Sequence, residues 1–212
     1  MGVVKLSELQ NQLLNIIEKN IEWAKSLRPV DEFGQHYFYC PACLRVVTYL
    51  KDQLRYAKRK GKRLTCTCGA ELKQLDDQFK DEYEKMLMTF YEKAMNLLNK
   101  AWEILGWFHG IDEVRVGIHE VVVRFDTHSQ LRIYRNGKEV RVWLHIHYLY
   151  KQGLDKFVEL LGILKSIDMH GEVEVDGRPD HCNVPEAEMR SLGFVRSNEV
   201  GKITLDDWYM AF

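Results

Sequence analysis

No apolar run in the 212-residue chain reaches the ~18 residues that a membrane-spanning helix needs, so no membrane partner is expected. The first residues, Met1-Gly2-Val3-Val4-Lys5, carry no secretory pattern. Nor is there an excess of charge of one sign. Thirty lysines and arginines nearly cancel 31 acids, leaving a formal net charge of −1. That balance excludes a whole-molecule polyanion binder, and contact with nucleic acid has to come from a local patch. There are no internal repeats and no low-complexity linker. Cysteine is scarce and odd in number, at five, which argues against a disulfide framework and for a reducing, cytoplasmic setting. With 46% hydrophobic and 29% charged residues, the remainder is ordinary globular composition, long enough for one or two cored domains.

Four of the cysteines form two short pairs, Cys40-Pro41-Ala42-Cys43 and Cys66-Thr67-Cys68-Gly69. Zn²⁺ takes four thiolates tetrahedrally at about 2.3 Å, and two pairs at this separation suit one such ion. Tyr37-Phe38-Tyr39 reads as a strand leading into the first turn, and Gly69 gives the second its permissive backbone. Four reduced thiols without metal, or a disulfide framework, are the alternatives. Cys182 is left as a free thiol. The CxxC…CxC pattern of Cys40, Cys43, Cys66 and Cys68 resembles zinc-ribbon and related zinc-finger modules. The resemblance covers residues 36–72 and implies a structural Zn²⁺ and a metal-stapled contact with nucleic acid or protein.

Between the pairs, Val47, Leu50, Leu54 and Ala57 recur at helical spacing and predict one helix over 44–60. Arg45, Lys51, Arg55, Lys58, Arg59, Lys60, Lys62 and Arg63 accompany that stripe, with Asp52 the lone acid. Such cations release counterions from phosphates and give sequence-blind affinity for DNA or RNA, with Tyr49 and Tyr56 offering stacking. A solvated helix face is the alternative. Longer helices are expected on either side. Leu9, Leu13, Ile16, Ile17, Ala24 and Leu27 mark one over 5–28, with Ser7 and Gln10 as a capping box and Pro29 as its stop. Phe79, Tyr83, Met86, Phe90, Leu97, Ala101 and Ile104 mark the other over 76–105, with acids gathered at the positive end of its dipole.

At Gly106-Trp107-Phe108-His109-Gly110 the period changes from 3.6 to 2. Strands are expected over 114–125, 130–134 and 139–150, with Asn136-Gly137 as a hairpin turn. Val140, Val142, Leu144, Ile146 and Tyr148 should face the core, and Arg141, Trp143, His145 and His147 the other side. A helix over 154–167, a strand over 171–175, a polar loop over 177–185, a short helix near 186–192 and a last strand follow. The expected fold class is α+β. A helical N-terminal half (1–107) carries the zinc module, an antiparallel sheet with one or two packed helices spans 108–200, and 201–212 is a tail.

Four further patterns bear on chemistry. His145 and His147 share a strand face and would hold a second metal if Asp180, His181, Cys182 or His119 converged on them. Three strands, a helix and another strand look like the ribonuclease H-like layout, which implies Asp126, Glu159 and Asp176 as ligands of two Mg²⁺ in a metal-dependent nuclease. Ser191-Leu192-Gly193-Phe194 before a strand is similar to the end of acetyltransferases of the GNAT type. The stretch from Tyr150 to Asp155 stands where that family cradles its cofactor pyrophosphate, with one glycine fewer and one hairpin fewer ahead of it. Lys202-Ile203-Thr204-Leu205-Asp206-Asp207-Trp208-Tyr209 resembles the sliding-clamp-binding peptide, or PIP box, especially the tails of archaeal flap endonucleases. That resemblance implies a plug of Leu205, Trp208 and Tyr209, with Lys202 where glutamine is usual. An edge strand is the alternative.

The leading expectation is a non-catalytic, zinc-binding adaptor. It would touch DNA or RNA through Arg45, Lys51, Arg55, Lys58, Arg59, Lys62 and Arg63, and reach a sliding clamp through Lys202, Leu205, Trp208 and Tyr209. The rivals are the nuclease, the acetyltransferase and a virus- or plasmid-encoded protein-interaction regulator.

Overall fold

Burial at a period of 3.6 builds helix α1 (Leu6–Ser26), in which Leu9, Leu13, Ile17, Ile21 and Ala24 are all buried. Ser7 lies inside its first turn and not ahead of it, so it cannot cap the start. The structure is a computed structural model that describes residues 5–108, 110–125, 128–202 and 207–212. After α1 come β1 (Gln35–Tyr39), β2 (Val46–Leu50), helix α2 (Lys51–Arg59) and β3 (Lys73–Gln74), with the three strands paired in the order β2-β1-β3. The helix expected over 44–60 is therefore divided. Val46, Val47 and Thr48 are β-branched, and they pair along β1 with Val46 opposite Tyr39 and Leu50 opposite Gln35. Helix begins only at Lys51, where the Leu50 N–H donates to Gln53 Oε1 at 2.8 Å. None of the residues of α2 is buried.

Helix α3 (Asp77–Trp107) starts where Asp76 Oδ1 accepts the Phe79 N–H at 2.9 Å. By its contacts the chain forms two units, and both long helices run through the division. One unit comprises Leu14–Tyr91 with Arg135–Glu139, the other Met1–Leu13, Glu92–Tyr134 and Val140–Phe212. In the first, Ile17, Ile21 and Ala24 are buried along with Tyr39, Phe79, Tyr83, Leu87 and Phe90. The rings of Tyr39 and Phe79 lie 5.2 Å apart, and Trp23 meets Tyr83 edge-on at 6.0 Å. A satellite cluster of Cys40, Cys66 and Leu72, flanked by Phe38, Val47 and Leu64, sits under the small sheet.

The second unit holds most of a seven-stranded sheet. Its strands are β4 (Glu113–Val116), β5 (Glu120–Arg124), β6 (Gln130–Asn136) and β7 (Glu139–Ile146). Helix α4 (Leu154–Lys165) precedes β8 (His170–Val175), and α5 (Glu186–Ser191) precedes β9 (Val195–Arg196) and β10 (Trp208–Ala211). The spatial order is β4-β5-β6-β7-β8-β10-β9. The single strand expected over 114–125 is a hairpin. Val116 pairs with Val121, and the Gly117 N–H reaches Glu120 O at 2.8 Å. Asn136 ends β6, and Gly137, at φ 65, takes the first central position of the next turn, where glycine alone adopts positive φ freely.

The sheet is mixed, not purely antiparallel. Crossover through α4 makes β8 parallel to β7, with Ile146 against Val175. Val140, Val142, Leu144 and Ile146 alternate inward as expected, but the strand then ends and Leu149 is buried in place of Tyr148. Helix α4 covers this core with Phe157, Leu160, Leu161 and Leu164, each burial stabilising by about 1.5–3 kcal/mol. Val158, on its other side, is exposed.

Trp208 and Tyr209 of the expected clamp-binding tail are not free. β10 lies between β8 and β9, and Trp208, 2% exposed, pairs with Val175 and Arg196 beneath the Arg196 guanidinium, 3.7 Å from the ring. Tyr209 pairs with Glu174 under Lys202, whose ammonium bridges Glu172 and Glu174. Leu205 falls outside the described residues. An indole committed to a sheet interior cannot also be a plug for a partner. Among the described residues, no helix is long and apolar enough to cross a membrane.

Candidate metal centre and cationic helix

Strand β1 ends at Tyr39 and delivers Cys40 to a tight turn. There the Cys40 N–H bonds Arg45 O at 3.0 Å and the Leu44 N–H bonds Cys40 O at 2.8 Å, with Leu44 held at φ 57. The second turn repeats the arrangement. The Cys66 N–H bonds Ala70 O at 2.8 Å and the Gly69 N–H bonds Cys66 O at 2.9 Å, with Gly69 at φ 90. Glycine adopts this backbone at little cost, whereas for Leu44 it is strained and is held by burial at 2% exposure.

The two turns bring four sulfurs together. Cys40 and Cys68 Sγ are 3.4 Å apart, Cys43 and Cys66 3.6 Å, Cys68 and Cys43 4.0 Å, and all four lie within 4.8 Å of one another. Sulfurs at about 2.3 Å from a tetrahedral ion would be separated by about 3.8 Å, in the middle of that spread. A disulfide needs about 2.05 Å, and all five cysteines are free thiols. The four expected cysteines thus converge at metal-binding distance, with donors that suit a thiophilic ion.

Backbone amides support the sulfurs. The Cys68 amide, donating to Cys66, is the main cause that draws the Cys66 thiol down to about 6. Burial, opposed by the Arg45 amide, pushes Cys43 up to about 12. At Cys68 the Ala70 amide pulls downward, but the neighbouring Cys40 and Cys66 sulfurs outweigh it and raise the thiol. Crowding allows one thiolate easily and resists the next, the condition that a divalent cation relieves.

The cations between the pairs divide into two groups. Arg45 Nη1 donates to Thr67 Oγ1 at 2.7 Å, and Arg63 faces Glu71 at 3.8 Å. Arg55 reaches Asp52 at 3.4 Å. Lys51, Lys58 and Arg59 have no acidic partner among the described residues, and Lys62 stands 6.0 Å over the ring of exposed Tyr56. Tyr49 packs edge-on against Phe38 at 5.7 Å. Asp52, Arg55, Lys58 and Arg59 line one open surface hollow along α2.

Asp126 lies outside the described residues, and Glu159 sits on the exposed side of α4, paired with Lys156 at 2.7 Å. Asp176 is buried with different company, Arg178, His147 and His181. Burial pushes its carboxyl up, but hydrogen bonds from Arg178 and His181 outweigh it and hold the group well below the usual carboxylate range. Of the paired strand histidines, only His147 joins this group. His145 stacks on Trp143 at 5.6 Å, and its Nδ1 is buried without a hydrogen-bond partner among the described residues. Cys182 is buried, and that burial raises its thiol.

No protein-family model, curated protein or solved structure shows significant similarity to this chain.

Proposed function

We propose that the four-cysteine centre is a structural zinc-ribbon-like site whose work is to hold α2 outward as a sequence-blind contact for nucleic acid. The observation that carries this reading is the helix itself. Nine residues in isolation are marginal as a helix, and α2 buries none of its side chains, so it gains little from the core. What the two metal turns do by gripping the chain on either side of it is display Lys51, Arg55, Lys58 and Arg59 to solvent. Lys62 and exposed Tyr56 extend that surface with a cation and a stacking ring.

The test is binding of labelled single-stranded and duplex DNA and of RNA across a salt series. Affinity should fall steeply with salt, and Arg55→Glu, Lys58→Glu and Arg59→Glu together should flatten the logarithmic slope by about 2–3. A triple variant that binds as the parent does would overturn the reading.

A second reading, acyl transfer of the GNAT type, rests on strand order. The meander before α4 has four strands, β4 to β7, which makes good the hairpin expected to be short, and the parallel strand pair of β7 and β8 flanks the helix. At the helix entrance, however, the Lys151 N–H is taken by Asn183 Oδ1 at 2.8 Å and Asp155 occupies the first turn, leaving a poor seat for a pyrophosphate. Fold likeness alone supports this reading. Calorimetry with acetyl-coenzyme A, showing binding or none, decides it.

A further inference from the structure

Strands β7 and β8 run parallel and end side by side, so the register that sets Ile146 against Val175 continues to His147 and Asp176. The neighbour on the far side of β8, β10, is antiparallel. Carboxyl ends of parallel strands, at a point where chain direction switches, are where open sheets place ligands. The loop after Asp176 folds back over this end. Leu149 bridges Cys182 in parallel, and its N–H donates to His181 O at 2.9 Å, which carries the His181 ring onto the other two side chains.

The three converge on one atom. His181 Nδ1 is 2.7 Å and His147 Nδ1 3.3 Å from Asp176 Oδ2, and all three donor atoms lie within 4.8 Å of one another. Donors at about 2.1 Å from a first-row ion stand about 3.0–3.4 Å apart, close to this spacing. The side chains are 13%, 10% and 9% exposed for His147, His181 and Asp176. Outer contacts suit a ligand role. His181 Nδ1 is hydrogen-bonded to Asp176 Oδ2 at 2.7 Å; an ion would displace that bridging proton, and Asp180 Oδ2, 3.4 Å from Nε2, is a carboxylate placed to hold the ring proton on that other nitrogen. The His147 N–H donates to Ser129 Oγ at 2.8 Å, fixing where the ring departs. Arg178 donates to Asp176 Oδ1 through its backbone N–H at 3.1 Å and its Nε at 3.0 Å, which orients the carboxylate. Its Nε and Nη2 also reach Oδ2, at 3.0 and 2.5 Å, contacts that an ion would displace.

We infer that His147, His181 and Asp176 bind one divalent first-row transition ion, with water completing its shell, at a site separate from the four-cysteine centre. Two imidazoles and one carboxylate form a borderline donor set that takes Zn²⁺, Co²⁺ or Fe²⁺. Because no thiolate takes part, Co²⁺ distinguishes the two centres by spectrum.

The experiment is a Co²⁺ titration of the full chain after one equivalent of Zn²⁺ has filled the cysteine centre. One further equivalent should bind saturably, giving weak visible bands and no sulfur-to-cobalt charge transfer. His147→Ala and His181→Gln should each weaken that step at least about 100-fold, and Asp180→Asn about 10-fold, with circular dichroism unchanged. No saturable uptake by the parent chain, or a second equivalent that appears only with charge-transfer bands, overturns the site. So does a titration that neither histidine substitution alters. The parent spectrum decides the matter even if a variant fails to fold.

Discussion

Arg45 Nη1 donates to Thr67 Oγ1 at 2.7 Å and so lashes the first cysteine turn to the second. A residue two positions past one ligand pair therefore holds the residue between the other two. Arg45→Ala should weaken zinc affinity about 10-fold in chelator competition, as loss of an outer-shell contact does.

Removing a sulfur acts more strongly. Cys43→Ser should abolish stoichiometric zinc at the centre and free the β1–β3 amides to exchange with solvent. Structural zinc contributes about 10–16 kcal/mol to modules of this size, and the cluster of Cys40, Cys66 and Leu72 is small. Acid should act in the same direction. Protons compete for thiolates, so zinc held near neutral pH should be released as the solution is made progressively more acidic. Elemental analysis after dialysis at each pH checks both expectations.

Trp208→Ala should destabilise the chain by about 3–5 kcal/mol in urea denaturation, the usual cost of deleting a buried large aromatic ring. Deleting residues 207–212 removes β10 altogether and should strip β8 and β9 of their shared partner. Retention of full stability by either variant would contradict the placement of this strand.

Arg190 links α5 to the turn after β9, with Nε 2.9 Å from Glu186 Oε1 and Nη2 2.9 Å from Glu199 Oε1. These bonds hold both carboxyl groups below their ordinary values. A carboxyl depressed in the folded state stabilises it above the unfolded value of about 4.3, and that contribution is lost as pH falls. Arg190→Met should therefore melt below the parent near neutral pH. The gap in melting temperature should narrow as acid takes the pH below the unfolded carboxyl value and down through the depressed folded ones.

Much of this organisation is legible in the sequence. The long helices and α4 announce themselves through repeated apolar spacing, and the cysteine pairs through ligand chemistry. Val47, Leu50, Leu54 and Ala57 misled because their helical spacing outweighed the β-branched run Val46-Val47-Thr48, which a neighbouring strand then captured. The fold of β4 onto β5 was hidden because Gly117-Ile118-His119 lacks the usual paired turn residues. Trp208 and Tyr209 matched a short peptide pattern that is blind to pairing across the sheet. The sequence pairs His147 with His181 as candidate ligands but leaves Asp176 in other company, since only the parallel run of β7 and β8 puts His147 and Asp176 level. Such a meeting is a property of topology and leaves no local spacing to read.

The position of β10 also constrains how this polypeptide emerges from a ribosome. β9 is made first yet stays an orphan until residues 208–211 arrive to wedge in beside it, so that flank of the sheet can zip up only after synthesis has passed Ala211. The cysteine turns, by contrast, find one another within a single local stretch. Metal capture can therefore precede completion of the sheet, and a nascent chain would hold its ion before its last strands are in place.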